Sequence, residues 1–271
     1  MPLLSLANLA MPETDPIEQI DAAADAGYQA VGLCINPPDR LAAALVNDHA
    51  QRRRVKQHLA ARNITVLDVE VFPLGPDVNV PVLLPVLEAS ADLGAAFVLV
   101  TGNDTDHARL ADNYGRLCDI ATPLGLRPTL EFISYRPLST IQQTKACLRR
   151  AARVGGGMCV DSLHLFRSGG TIADLLTVDP ADIGYAQICD AASMAHASTF
   201  SEEQLLRESR TDRHLPGEGV LPLVEFLNAL PAGIAISVEA PSEAHAHLSP
   251  HGRAVAAIQK TLAVLAQSKV R

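Results

Sequence analysis

The chain has no tryptophan, and aromatic residues make up 4% of its 271 residues. It is also short of lysine. The four are Lys56, Lys145, Lys260 and Lys269, each in a stretch patterned as an outer helix, so a Schiff-base aldolase has no amine at a strand end. No run of eighteen or more apolar residues occurs, which argues against a membrane-crossing helix. The opening Met1-Pro2-Leu3-Leu4-Ser5 has neither the basic nor the long apolar region of a secretory signal, and a cytoplasmic protein is expected. Cys34, Cys118, Cys147, Cys159 and Cys189 are odd in number and widely spaced, with no CxxC metal clip, and they read as small buried hydrophobes. Lys plus Arg is 22 against 30 for Asp plus Glu, a formal charge of -8. That balance disfavours nucleic acid as a partner, because a phosphate backbone demands a concentrated positive surface. A GxSxG nucleophile elbow, a P-loop and a glycine-rich turn after the first strand are all missing. The first histidine is His49, which removes the strand-one HxH pair of metal hydrolases.

What is present is a dense apolar framework. Hydrophobic residues are 48% and charged residues 19% of the chain, and the length suits eight strand-helix units in one domain over residues 1–271. Short β-prone runs alternate with helical patterns from end to end. Strands are expected at 3–7, 30–34, 64–71, 97–100, 127–132, 158–161, 184–188 and 234–239. Helices are expected at 16–26, 38–61, 80–93, 106–122, 139–153, 171–176, 221–230 and 243–267, with a further one at 201–208. This pattern predicts an α/β fold, a (β/α)8 TIM barrel with parallel pairing and right-handed crossovers. A doubly wound sheet is the alternative. Gly155-Gly156-Gly157 precedes a strand and reads as a turn, and Arg52-Arg53-Arg54 with Lys56 reads as a solvated helix face. The one large excursion, 189–219, is expected to cover the site.

In such a barrel the reacting groups project from the C-terminal ends of strands. The fifth strand ends in Leu130-Glu131-Phe132, the sixth in Val160-Asp161, the seventh holds Gln187, and the eighth ends in Val238-Glu239. Buried carboxylates this close together repel or take up protons, and a divalent cation resolves both problems. Three carboxylates and an amide oxygen suit Mn²⁺ or Mg²⁺, with Co²⁺ or Zn²⁺ less favoured. Glu70, at the end of the third strand, is a further candidate for substrate binding or for a salt bridge. His245 and His247 form an HxH pair after the last strand and read as solvent-facing or capping residues.

With these strand ends, the segments Asp161-Ser162-Leu163-His164, Gln187-Ile188-Cys189-Asp190 and Arg213-His214-Leu215-Pro216-Gly217-Glu218-Gly219 make the chain resemble the xylose isomerase-like barrel superfamily over essentially its whole length. That superfamily includes sugar isomerases and epimerases, inosose-processing enzymes, 3-dehydroshikimate dehydratases and abasic-site endonucleases. The resemblance implies that Glu131, Asp161, Gln187 and Glu239 are metal ligands, with Glu131 and Glu239 also exchanging protons with substrate. His164 matches a substrate-contacting histidine of the ketose epimerases and stands as a third catalytic candidate. Arg213 matches their arginine that anchors a substrate oxygen, and scaffolding with Glu218 or Asp212 is its other reading. Asp190 is assigned to substrate binding, or to orienting Arg213 or the excursion. Gln187 departs from the histidine common in those epimerases, and an amide here also occurs among the dehydroshikimate dehydratases.

The expected activity is therefore a divalent-metal-dependent isomerase or epimerase of a small polyhydroxylated carbonyl compound, working through an enediolate in carbohydrate metabolism. Dehydration of a cyclic hydroxyketone such as 3-dehydroshikimate, a lyase reaction, uses nearly the same groups. A noncatalytic ligand-binding barrel is the third class. No membrane partner is expected, and a homo-oligomer is compatible with the resemblance.

Overall fold

The computed structural model describes residues 1–36 and 41–270. Eight parallel strands run in chain order and close into a barrel: β1 Leu4–Leu6, β2 Ala30–Cys34, β3 Thr65–Leu74, β4 Phe97–Gly102, β5 Arg127–Glu131, β6 Gly157–Asp161, β7 Ile183–Ile188 and β8 Ile236–Val238. β8 returns to pair with β1, so no strand edge is left open. Helices cover the outside, and the fold is a (β/α)8 TIM barrel. None of the helices among the described residues is long and apolar enough to cross a membrane.

Local chemistry sets most boundaries. Asp15 accepts a hydrogen bond from the Ile17 N–H and Pro16 opens the first helix, which stops at Gly27 with φ of 97°. The helix expected over 38–61 is broken: Asp48 caps a separate helix, His49–Arg62, and residues 38–40 lie outside the described residues. The final helix is Pro250–Leu265, shorter than 243–267, because Ser249 and Pro250 form its start and Glu243–His245 is a separate single turn. The short helix Ser162–Arg167 has no counterpart in the sequence pattern, since all six residues are buried and no amphipathic period marks it. The cluster at 52–56 is not wholly solvated: Arg52 is buried and pairs with Asp92, as does Lys56. All five cysteines are buried.

Side chains two residues apart on a strand share a face, so the barrel interior is layered. Below Glu131, Gln187 and the position of Glu239 lie Thr129, Tyr185 and Ser237, and below Glu70 lies Asp68. Register places Ser5 beside Ser237 and Asp161 beside Gln187. A small apolar group of Ala30, Leu67, Leu99, Cys159 and Tyr185 packs apart from the main core. Among the described residues, Ser5 Oγ, Asp68 Oδ1, Tyr185 Oη and Ser237 Oγ are buried without hydrogen-bond partners. Such an interior costs stability unless its groups stay neutral or hydrated.

Burial pushes the Asp68 carboxyl from its ordinary 3.8 up to about 7, against a lowering influence of Tyr185. An acid whose folded-state value is raised keeps a proton that the unfolded chain has released, so its contribution to stability declines as pH rises from about 4 to about 7. Asp68→Asn is expected to flatten that decline and to stabilise the metal-free protein at pH 8, by at most roughly 4 kcal/mol. Urea denaturation across this pH range checks it. A slope equal to the wild type, with no gain at pH 8, contradicts the assignment.

Candidate metal centre and active site

Strand geometry delivers four polar side chains to one end of the barrel. Glu131 closes β5, Asp161 closes β6, Gln187 is next to last in β7, and Glu239 follows β8. The residue before each of these positions, Leu130, Val160, Ala186 and Val238, is apolar and packed in the main core, so packing fixes the backbone while the inward-facing residue at the strand end is left for chemistry. All four side chains are buried.

A fifth residue joins them from the excursion. Arg213 is 1% exposed, and its Nη1 donates to Asp161 Oδ2 at 2.6 Å while its Nη2 lies 2.8 Å from Glu239 Oε2. Its Nε donates to the Ser209 carbonyl at 2.8 Å. The other Asp161 oxygen accepts the N–H groups of Leu163 and His164 at 2.6 and 3.3 Å, capping the helix Ser162–Arg167. Gln187 Nε2 donates to Glu239 Oε1 at 2.8 Å, and Gln187 Oε1 accepts from the Cys159 thiol at 3.3 Å. Glu131 makes no hydrogen bond through its carboxylate among the described residues. Its Oε1 lies 4.0 Å from His164 Nε2. On the far side of that imidazole, the Ser134 N–H points at Nδ1 from 3.5 Å, which makes Nδ1 the acceptor and assigns the ring proton to Nε2.

The electrostatics follow from burial and from this pairing. Burial opposes ionisation of Asp161, but Arg213 and His164 outweigh it and hold its carboxyl below the usual range. Burial, then the charge of Asp161, drives the Glu131 carboxyl well above its ordinary value. Burial also raises Glu239, with Arg213 pulling the other way and Glu131 adding to the rise. His164 is pushed down to about 4 by burial and is neutral near pH 7.

These residues fit a divalent cation. Three carboxylates face one guanidinium, an imbalance of two negative charges, and burial beside like charges raises the carboxyls of Glu131 and Glu239. The oxygen donors suit a hard cation, and Glu131, Asp161 and His164 also bring ligand atoms within 4.8 Å of one another. Glu131, Asp161, Gln187 and Glu239 would hold it. Gln187 now turns its NH2 toward Glu239, so ligation calls for the other face of the amide.

The site opens into a cleft of about 370 Å³, to which Glu70, Glu131, His164, Arg213 and Glu239 all contribute. Asp161 and Gln187 are fully buried and are not among its lining residues. Arg213 pairs with neither Glu218 nor Asp212 among the described residues, and its terminal nitrogens are engaged by the site carboxylates. Asp190 does not line the cleft: its oxygens accept the N–H groups of Ala191, Gly217, Gly219 and Leu221, which fits its reading as a residue that orients the excursion. Sequence reasoning missed Thr101, Asn103, Tyr135, Arg136, Ser209 and Arg210 on the cleft wall. Thr101 was findable, since it sits near the end of β4 in register with Glu131. The others lie on loops or on the excursion, where no period marks them.

A closed (β/α)8 barrel with an acidic cluster at the C-terminal ends of its strands defines a class, and the comparisons narrow it. Residues 20–267 match the xylose isomerase-like TIM barrel family, and the chain belongs to that family. It is 30% identical over 142 residues to a 3-dehydroshikimate dehydratase of Pseudomonas aeruginosa, a match covering 50% of this chain and 21% of that protein. The match thus spans about a fifth of the relative's length. The fold is similar to that of the IolI protein solved with a bound zinc atom, at a TM-score of 0.82 and 19% identity, covering 97% of this chain and 98% of the other. It is also similar to D-psicose 3-epimerase of Clostridium cellulolyticum H10 solved with D-tagatose, at a TM-score of 0.75 and 14% identity, covering 97% and 99%. Two of these proteins, the dehydratase and the epimerase, are enzymes.

Calorimetric titration of Mn²⁺ into chelator-stripped protein is expected to show one site per chain. Asp161→Asn is expected to weaken that binding at least about tenfold. Equal affinity in the variant removes the cluster from consideration as the metal site.

Proposed function

We propose that the protein is an enzyme that withdraws a proton from the carbon beside the carbonyl of a small polyhydroxylated carbonyl compound, with Glu131 as the base. One observation carries this reading: Glu131 is the site carboxylate that faces the cleft without a hydrogen bond, whereas Glu239 is held on one oxygen by Arg213 and on the other by Gln187. Burial and the charge of Asp161 raise its carboxyl above the usual carboxylate range, which favours its taking up a proton.

A single free carboxylate orders the possible outcomes. Inversion at carbon calls for proton donors on both faces, and Glu239 is already paired with Arg213. Loss of a β-hydroxyl needs one base on one face. The C–H bond breaks as Glu131 takes the proton, a C=C bond forms conjugated with the carbonyl, and the C–O bond breaks. Glu131 then gives its proton to the departing hydroxyl, which leaves as water. His164 directs its Nε2–H toward the same space and orients that hydroxyl. Arg213 keeps Glu239 in place, and the excursion restricts water. A divalent cation, when bound, supplies positive charge for the oxygen on which negative charge develops.

Dehydration is therefore placed ahead of isomerisation in this reading. The likeness to a dehydratase over half the chain and the amide at Gln187 support that order. Isomerisation, with Glu131 returning its proton to the adjoining carbon, is the second reading, and the same free carboxylate favours it over epimerisation.

Glu131→Gln is expected to lower turnover by at least about a hundredfold while leaving the circular dichroism spectrum unchanged. The assay is the ultraviolet absorbance of a newly formed conjugated or aromatic product, with solvent-deuterium incorporation by NMR, over cyclic hydroxyketones that include 3-dehydroshikimate and over ketoses. Turnover within tenfold of wild type contradicts the role of Glu131. A conjugated product assigns dehydration, and exchange without it assigns isomerisation.

A further inference from the structure

We infer that the substrate carries an anionic group, a carboxylate or a phosphate, bound at the mouth of the cleft by Arg136 and Arg210. This rests on the proposed function, since it names the substrate class of the same site.

Most arginines near the excursion are already paired. Arg167 binds Glu208, Arg207 binds Glu243, and Arg213 binds Asp161 and Glu239. Arg136 and Arg210 both line the cleft, and among the described residues neither forms an ion pair. Arg136 is half-buried and Arg210 exposed, so two guanidinium groups without carboxylate partners give the outer cleft, above its acidic floor, a positive edge open to an anion from solvent.

Their placement is built, not incidental. The hydroxyl of Tyr135, in the loop after β5, donates to Ser209 Oγ at 3.1 Å, in the helix Glu202–Thr211 of the excursion. The next residue in each segment is an arginine, so one hydrogen bond sets both beside the same opening. Each half of the clamp has its own anchor. The fully buried Arg167 holds Glu208 in a two-pronged pair at 2.8 and 2.6 Å, one residue before Ser209. The Arg136 N–H donates to the Ile133 carbonyl at 2.7 Å, closing a tight turn, and the Arg136 guanidinium lies over the Tyr135 ring at 5.6 Å from its centroid. Stacking occupies the face of a guanidinium and leaves its N–H edge for a planar or tetrahedral oxyanion.

The cleft is thus polarised along its depth. The inner end offers carboxylates and an imidazole N–H for a carbonyl and its hydroxyls, and the outer end offers two positive forks. At about 370 Å³ it takes a small molecule that reaches both ends at once. A neutral sugar would leave the outer pair unused.

Calorimetry on the Mn²⁺-loaded full chain tests this with three probes: shikimate, a carboxylate that has no carbonyl to react, D-fructose 6-phosphate, and D-fructose. The expected result is that at least one anion binds ten times or more tighter than D-fructose. Arg136→Gln and Arg210→Gln should each weaken that anion at least fivefold, and the double variant should bring it to the level of D-fructose. Arg149→Gln, on the exposed face of an outer helix, serves as the control and should match wild type. Preference for shikimate assigns a carboxylate, and preference for the sugar phosphate assigns a phosphate. Anion affinity no greater than that of D-fructose, or anion affinity unchanged in both arginine variants, overturns the inference. Because shikimate binding requires no proton transfer, a chain that binds the anion through these arginines but exchanges no substrate proton would sink the proposed function alone.

Discussion

Three carboxylates buried within reach of a single guanidinium are the constraint on which the rest of the structure depends. Glu131, Asp161 and Glu239 come from three different strands, and closure of the sheet forces them together. Arg213 offsets one of their charges only because the excursion returns to the barrel mouth. There its N–H donates to the Pro241 carbonyl at 2.8 Å, its Nε to Ser209, and its tip to the carboxylates. The excursion is therefore fastened by the same ions that it neutralises. A pair of this kind gives modest net stability, because desolvation offsets most of the attraction, but it fixes position strongly.

The same reasoning explains why polarity does not stop at the barrel mouth. The layer below the site holds Asp68, Tyr185, Ser5 and Ser237 with unpartnered polar atoms, and the Cys159 thiol reaches up to Gln187. An all-apolar interior would be more stable at that level. A polar one supports the residues above it, since Gln187 is held from beneath by Cys159 and from the side by Glu239. Stability given up near a site that must hold uncompensated charge is a familiar trade.

The architecture was legible because its signals are repetitive. Apolar strands alternating with capped helices recur eight times, and one rule about strand ends singles out Glu131, Asp161, Gln187 and Glu239 without coordinates. What escaped is local or three-dimensional. The fully buried helix Ser162–Arg167 has no amphipathic stripe, and Asp48 interrupts a run that looked like one long helix. Asp190 stood beside the site in sequence, yet four backbone N–H groups of its own loop claim it. Arg136 and Arg210 acquire meaning only through Tyr135 and Ser209, a contact across 74 residues that no periodicity encodes.

The central claim is that the carboxylate cluster is a cation site and that Arg213 stands in for part of the cation's charge. A crystal structure of the protein soaked in Mn²⁺, read by anomalous scattering, tests it most directly. The account predicts one strong peak among Glu131, Asp161, Gln187 and Glu239, with the amide of Gln187 turned and the Arg213 guanidinium drawn away from Asp161. A cluster without a peak, with Arg213 still bridging Asp161 and Glu239, would contradict it.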